Sequence, residues 1–381
     1  GAEDLAWLDS AQGPGPSVLA AWPDDALVSR PSDPDPLPEL ARRILETPAG
    51  TGDLPSPHLI LAAGYDLGGR MDRFFWKAKD DLEESELELR RYPSVLIHDG
   101  RDGSWWLSSL SEAARREGAA RYGEALTSCG EAPGIPAPPE SGIPEQNFSR
   151  ESYREAILEI LRLIREGACY QVNLARRFRV PCRERPLDLY RRLRHLSPAP
   201  YAAYLGWKGR TVLSSSPELF LELKGDRVLT RPIKGTRARG ATPEEDARLR
   251  AALEASGKDR AELAMIVDLE RNDLGRVCRT GSVKVEEART LAAYAAVHHA
   301  QASVSGRLKE GAGPVDLLRA TFPGGSVTGC PKLRAMEAID TLEPTRRGIY
   351  CGAVGWVSSR GASLNLAIRT IALSQGVATC H

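Results

Sequence analysis

Apolar residues recur at helical spacing through Tyr153, Ile157, Ile160, Leu161 and Ile164, and Gly167 stands where such a run would end. Ser152 and Glu155 have the spacing of a capping box, which places the expected helix start beside them. Thr242-Pro243, with glutamate at 244 and 245, predicts a second helix start. Gly257 divides that helix from a third, expected from about Lys258 through Leu269, and Pro331 should open a fourth through Leu342. Strand-like runs occupy Leu59–Ala63, Val95–His98 and Trp105–Leu107. Two longer hairpins are expected. One runs Val212–Leu223, turns at Lys224-Gly225-Asp226 and returns through Arg227–Ile233. The other runs Ile349–Val357, turns through Ser358–Gly361 and returns through Ser363–Ile371. Meandering strand pairs flanked by helices predict an α+β fold with antiparallel sheets, not alternating βαβ units.

The stretch Glu131–Pro144 (EAPGIPAPPESGIP) is rich in proline and glycine and lacks apolar periodicity. It reads as a linker or surface strap, giving an N-terminal part at 1–130, a linker at 131–147 and a larger part at 148–381. The 381 residues allow a large core, and 51 basic against 51 acidic side chains give no surface suited to nucleic acid or an anionic membrane. No apolar run approaches the roughly 20 residues of a membrane span. Seven cysteines, odd in number and without a C-x-x-C pair, argue for a reducing, cytoplasmic setting over a disulfide or zinc framework. Only His298 and His299 are adjacent histidines, and no metal-type H-x-x-x-H spacing occurs.

Candidate chemistry centres on Lys234, between an apolar strand and the turn at Gly235. A lone lysine there is ordinarily a solvated surface group. Desolvation, however, frees a lysine amine to act as a nucleophile near neutral pH. Glu218 and Lys234 each lie eight residues from Asp226. An odd loop length would set them opposite each other on one face, whereas a two-residue loop would send them to opposite faces. On one face the acid could protonate a leaving hydroxyl while the amine attacks nearby; the plain alternative is a cross-strand ion pair. Asp259 and Glu262 are three apart on a predicted helix, a spacing that suits Mg²⁺ but is also common on solvated faces.

Seven motifs in order resemble the chorismate-utilising enzymes, the family of anthranilate, aminodeoxychorismate, isochorismate and salicylate synthases. They are Gly167–Leu174 (GACYQVNL), Ser215–Glu218 (SSPE), Arg231–Thr236 (RPIKGT), Asp268–Gly275 (DLERNDLG), Phe322–Met336 (FPGGSVTGCPKLRAM), Tyr350–Gly355 (YCGAVG) and Asn365–Thr370 (NLAIRT). Trp7–Ser10 and Gly64–Leu67 (GYDL) are similar to the family's more variable N-terminal domain. The resemblance implies a chorismate-binding fold of two layered subdomains, with the active site in the cleft between them.

Two positions separate the branches. Members that add water to chorismate carry lysine where this chain has Gln171, and anthranilate synthases carry alanine where it has Lys234. The pairing of glutamine and lysine resembles the aminodeoxychorismate branch. In that branch Lys234 would attack ring carbon 2, Glu218 would protonate the departing carbon-4 hydroxyl, and ammonia would then add at carbon 4 and displace the lysine. The resemblance further implies Mg²⁺ on Glu262, an Arg369 clamp on the enolpyruvyl carboxylate beside Tyr350, and substrate contacts from Gly235, Thr236 and Gln171. His299 would bond near the departing hydroxyl. Ammonia would come from a separate glutamine amidotransferase subunit. Asp9, Ser10, Pro200 and Tyr201 resemble parts of a tryptophan pocket, against plain core packing. Family members continue beyond the position of His381 into a glycine-rich turn and an acidic helix with another Mg²⁺ glutamate. The 381-residue chain is therefore expected to bind Mg²⁺ and chorismate poorly. The alternatives are an anthranilate synthase component I, or a non-catalytic subunit that binds chorismate or tryptophan.

Overall fold

In the computed structural model, residues 4–10, 15–49, 55–72, 74–128, 130, 134, 135, 137 and 142–381 are described. Two ten-stranded antiparallel sheets and a two-stranded ribbon make the frame, with helices packed around them. One sheet runs, in spatial order, through 105–109, 94–98, 17–20, 5–9, 201–207, 210–216, 370–374, 377–380, 178–181 and 145–146. The other runs 233–238, 297–307, 227–231, 219–224, 361–366, 353–358, 59–63, 87–91 and 25–29, with 284–293 also paired to 297–307. Strands from 1–130 and from 148–381 thus stand side by side in both sheets. Part of the linker lies outside the described residues; the carbonyls of Gly134 and Ala137 accept from Arg191 and Arg192.

The chain passes between the sheets several times, and two of these crossings overturn part of the expected hairpins. Val212–Leu223 is not one strand: Arg210–Ser216 belongs to the first sheet and Leu219–Lys224 to the second. Pro217, which has no N–H for a ladder, lies at the break. Likewise the returning arm after Gly361 ends at Leu366, and Thr370–Ser374 pairs with the first sheet. The two crossings are bonded to each other. Ser216 Oγ donates to the Leu366 carbonyl at 2.6 Å. The Leu366 N–H donates to the Glu218 carbonyl at 3.1 Å, and the Ser215 N–H to the Arg369 carbonyl at 3.0 Å.

The first of the expected helices covers Arg150–Arg165, and its cap lies three residues before the expected one. Ser149 is its cap and Ser152 answers from the third position, so two serines do what Ser152 and Glu155 were expected to do. Thr242 caps Pro243–Ala255, and Ser256 caps Gly257–Val277, which runs well past Leu269. Lys332–Leu342 starts after Pro331 as expected.

Apolar side chains from the second sheet and the helices beneath it form the larger core, including Leu221, Leu223, Val228, Leu263 and Phe322. A buried ion pair crosses its edge: Lys332 Nζ reaches Asp273 Oδ2 at 2.5 Å and the Thr321 carbonyl at 2.6 Å. It ties the 257–277 helix to the turn that leads into Ser326. Lys332→Met should cost about 3–5 kcal/mol, because Asp273 would be left buried and unpaired. Urea unfolding measures this, and Lys332→Met with Asp273→Leu should recover much of the loss.

Candidate active site

A cavity of about 600 Å³ opens beside the two crossings, and Glu218, Lys234, Gly235, Thr236, His299, Tyr350 and Arg369 all line it. Glu218 and Lys234 arrive there by a route that the loop count did not foresee. Lys224 pairs with Arg227, leaving a two-residue loop at Gly225-Asp226, which by parity alone would separate the two side chains. A register shift between Leu219 and Glu222 removes one step. Pro232 then ends the 227–231 strand, and Ile233–Ala238 resumes along the same neighbour. The bulge and the break return both groups to one cavity.

Within it they are joined through neutral partners. Lys234 Nζ donates to Asn173 Oδ1 at 3.4 Å, Asn173 Nδ2 donates to the Ser326 carbonyl at 3.1 Å, and Ser326 Oγ donates to Glu218 Oε1 at 2.5 Å. The Ile233 N–H also points to the Glu218 carboxyl. Burial pushes Glu218 up to about 7, opposed by Ser326, the charge of Lys234 and Ile233. Burial likewise pulls the Lys234 amine below its ordinary value, opposed by Glu218, Glu262 and Cys351. Both shifts favour the uncharged forms, an acid that still holds its proton and an amine that has lost one.

His299 does not keep a nitrogen free for a leaving group. Arg369 Nη2 lies 2.8 Å from His299 Nε2, and a guanidinium can only donate, so Nε2 accepts. The proton of the neutral ring is thereby assigned to Nδ1, 2.9 Å from Thr236 Oγ1. Burial, then the charge of Arg369, pulls the ring down to about 4. In this arrangement the ring bridges Arg369 and Thr236. Arg369 itself has φ +49 in the second crossing, an uncommon conformation for a residue with a Cβ.

Other expected residues are placed differently. Gly235 has φ +92, and a Cβ there would stand 2.9 Å from Asp259 Cβ, so its glycine also serves the packing of a helix behind the cavity. Gln171 pairs with Cys330 in the small ribbon, and its neighbours Val172 and Asn173 provide the lining in its place. Tyr350 stacks on His381 at 4.5 Å. Asp259 is held by Arg237 at 3.0 Å, and Glu262 is one-third exposed with Lys258 at 3.7 Å. Among the described residues no group of three or more His, Cys, Asp or Glu gathers as a metal site. Glu262 offers one carboxylate, the smallest protein contribution with which Mg²⁺ is held beside substrate oxygens and water.

Asp9 is buried against Arg194, with the Tyr190 hydroxyl at 3.4 Å. The Ser10 N–H donates to Ser17 Oγ at 3.1 Å, and the Tyr201 carbonyl, next to Pro200, accepts from Asn365 at 2.8 Å. Arg194, stacked 5.4 Å over Trp7, already pairs with the Asp9 carboxylate that a ligand amine would take.

Asn173, Ser326 and Arg347 were not foreseen, although the first two lie inside quoted motifs. Only their hydrogen bonds reveal them. The raised pKa of Glu218 destabilises the fold once the pH passes the carboxyl's ordinary value of 4.5 and approaches its folded value of about 7. Below 4.5 both the folded and unfolded chains carry the proton and the penalty vanishes. Glu218→Gln should therefore raise the melting temperature above neutral pH and leave it unchanged in acid, as scanning calorimetry at several pH values would record.

Residues 5–381 match the family described as chorismate binding enzyme. The chain is 45% identical over 298 residues to the aminodeoxychorismate synthase of Streptomyces pristinaespiralis, covering 75% of this chain and 41% of that one. It is 40% identical over 333 residues to aminodeoxychorismate synthase component 1 of Klebsiella aerogenes, covering 86% of this chain and 72% of that one. It thus spans less than half of the first relative and nearly three quarters of the second. Among solved structures, anthranilate synthase component I from Streptococcus pneumoniae superposes with a TM-score of 0.84 at 28% identity, over 98% of this chain and 87% of that one. No helix among the described residues is long and apolar enough to cross a membrane.

Proposed function

The chain belongs to the chorismate binding enzyme family, and on that footing we propose that it aminates chorismate to 4-amino-4-deoxychorismate, as an aminodeoxychorismate synthase component I. The observation that carries this is Lys234 in the cavity, linked through Asn173 and Ser326 to a buried carboxyl that favours its proton. The names of the relatives support the same branch over anthranilate synthesis.

The uncharged Lys234 amine attacks ring carbon 2. As the new N–C bond forms, both ring double bonds shift along the ring and the carbon-4 C–O bond breaks. Glu218 gives its proton to the departing oxygen, which leaves as water. Ammonia then bonds to carbon 4, the electrons shift back, and the bond from Lys234 to carbon 2 breaks. The proton shed by the incoming nitrogen returns to Glu218. Arg369, fixed by His299, faces the substrate's carboxylate with its remaining donors. The words "component 1" in the Klebsiella relative's name speak of a second component there. Here a glutamine amidotransferase subunit is the proposed ammonia source. The six described cysteines are all free thiols, in keeping with the reducing cytoplasm.

Chorismate, ammonium and Mg²⁺ incubated with the full-length protein, with products resolved by chromatography, test this reading. Aminodeoxychorismate is expected; fluorescent anthranilate, or unchanged chorismate, would overturn it. Lys234→Ala should lower turnover by about 10³-fold or more.

Mg²⁺ remains a proposal resting on Glu262, which stands close enough for Lys234 to feel its charge. When bound, the ion would hold the ring carboxylate through one protein carboxylate and substrate oxygens. Glu262→Gln should raise the Mg²⁺ concentration needed for half-maximal rate by about tenfold or more. An unchanged Mg²⁺ titration would remove Glu262 as a ligand.

A further inference from the structure

The Gly64–Leu67 segment lies outside the lining of the cavity yet grips the bend between two residues that line it. Gly348, with φ +58, sits between Arg347 and Tyr350. Its N–H donates to Asp66 Oδ2 at 3.0 Å, and its carbonyl accepts the Tyr65 N–H at 2.7 Å. A Cβ on Gly64 would stand 3.1 Å from the Gly348 oxygen, and one on Gly348 would stand 2.6 Å from Glu84 Oε2. The two backbones therefore meet with no room for a side chain between them. The Tyr65 ring lies 4.7 Å from the Arg347 guanidinium. From behind, Trp76 Nε1 donates to the Asp66 carbonyl at 2.7 Å and its ring packs 5.4 Å from Tyr65.

The grip extends to the amine. Arg347 is buried; its Nη2 donates to the Asn173 carbonyl at 2.5 Å and to Glu343 at 2.6 Å, and its Nη1 donates to the Val327 carbonyl at 3.0 Å. Asn173 is the residue whose side-chain oxygen accepts from Lys234, and Val327 follows the serine that holds Glu218. From Asp66 the contacts run through Gly348, Arg347 and Asn173 to the nucleophile.

We propose that Gly64–Asp66 is a clamp that sets the place of the Lys234 amine through Gly348, Arg347 and Asn173, which makes Asp66 a positioning residue for the chemistry at Lys234. The proposal depends on the amination reading only for the identity of the nucleophile. The buried Asp66 carboxyl is faced by Asp80 and Glu84, with Glu86 lining the same small space, and by Arg346 from the turn before Gly348. Its essential service is one acceptor oxygen, which an asparagine amide would also provide.

The test compares Asp66→Ala, Asp66→Asn and the parent, each checked for native circular dichroism. An amine-acylating N-hydroxysuccinimide ester is applied near neutral pH, and modification of Lys234 is read by peptide mass spectrometry beside chorismate–ammonium turnover. In Asp66→Ala, loosening of the cavity should slow Lys234 acylation about tenfold, as for an amine that regains one unit of pKa. The other lysines should be unaffected. Turnover kcat should fall by about 100-fold, with a smaller change in KM for chorismate. Asp66→Asn should return both values toward the parent. A folded Asp66→Ala with parental acylation overturns the proposal, and so does an Asp66→Asn that fails to recover. If Asp66→Ala does not fold, Tyr65→Leu, which removes the ring beside Arg347, carries the same expectation and the same contradiction. A parent without turnover, whose Lys234 acylation still responds to Asp66, would sink the amination reading and leave the clamp standing.

Discussion

An amine and a carboxyl share one cavity, and each hydrogen-bonds to a neutral group and not to a charged one. Lys234 meets the amide oxygen of Asn173, and Glu218 meets the hydroxyl of Ser326. In water an amine and a carboxyl this close would ionise and attract. Here burial is the larger effect on both, and it pushes them toward neutrality. A neutral nucleophile beside a neutral acid is the combination that a substitution with a poor leaving group requires.

Holding that pair in place explains several features that look unrelated along the chain. The two sheets exchange strands where the chain must carry Glu218 and Arg369 into the same space, and Ser216 bonds one exchange to the other. The two ring nitrogens of His299 meet Thr236 and Arg369, tying the 233–238 strand to the second crossing. The buried Lys332–Asp273 pair steadies the turn that presents Ser326, and the N-terminal segment reaches the amine through the backbone of Gly348.

Much of the frame was legible in the sequence. Proline and capping residues marked three of the four helix starts, and apolar runs marked the short strands. The cavity's composition followed from a family resemblance that named Lys234, Glu218, Thr236, His299, Tyr350 and Arg369, all of which line one space. The rest depended on events that residue spacing does not encode. A single-residue bulge and a proline break decided which face Glu218 and Lys234 share, and counting outward from the turn gave the right neighbours for the wrong reason. The hairpin arms were drawn too long because a strand that changes sheets keeps its apolar pattern through the change. Asn173 and Arg347 stayed hidden because their roles rest on backbone carbonyls that no motif displays.

The central claim is the depressed basicity of one amine. Titration of the protein with ¹⁵N-labelled lysine side chains, with the resonance assigned through Lys234→Arg, would follow that nitrogen directly. The account predicts a midpoint for Lys234 below its ordinary value of 10.5, moving lower still when Glu218→Gln removes the neighbouring negative charge. A midpoint at or above 10.5, indifferent to Glu218, would contradict it.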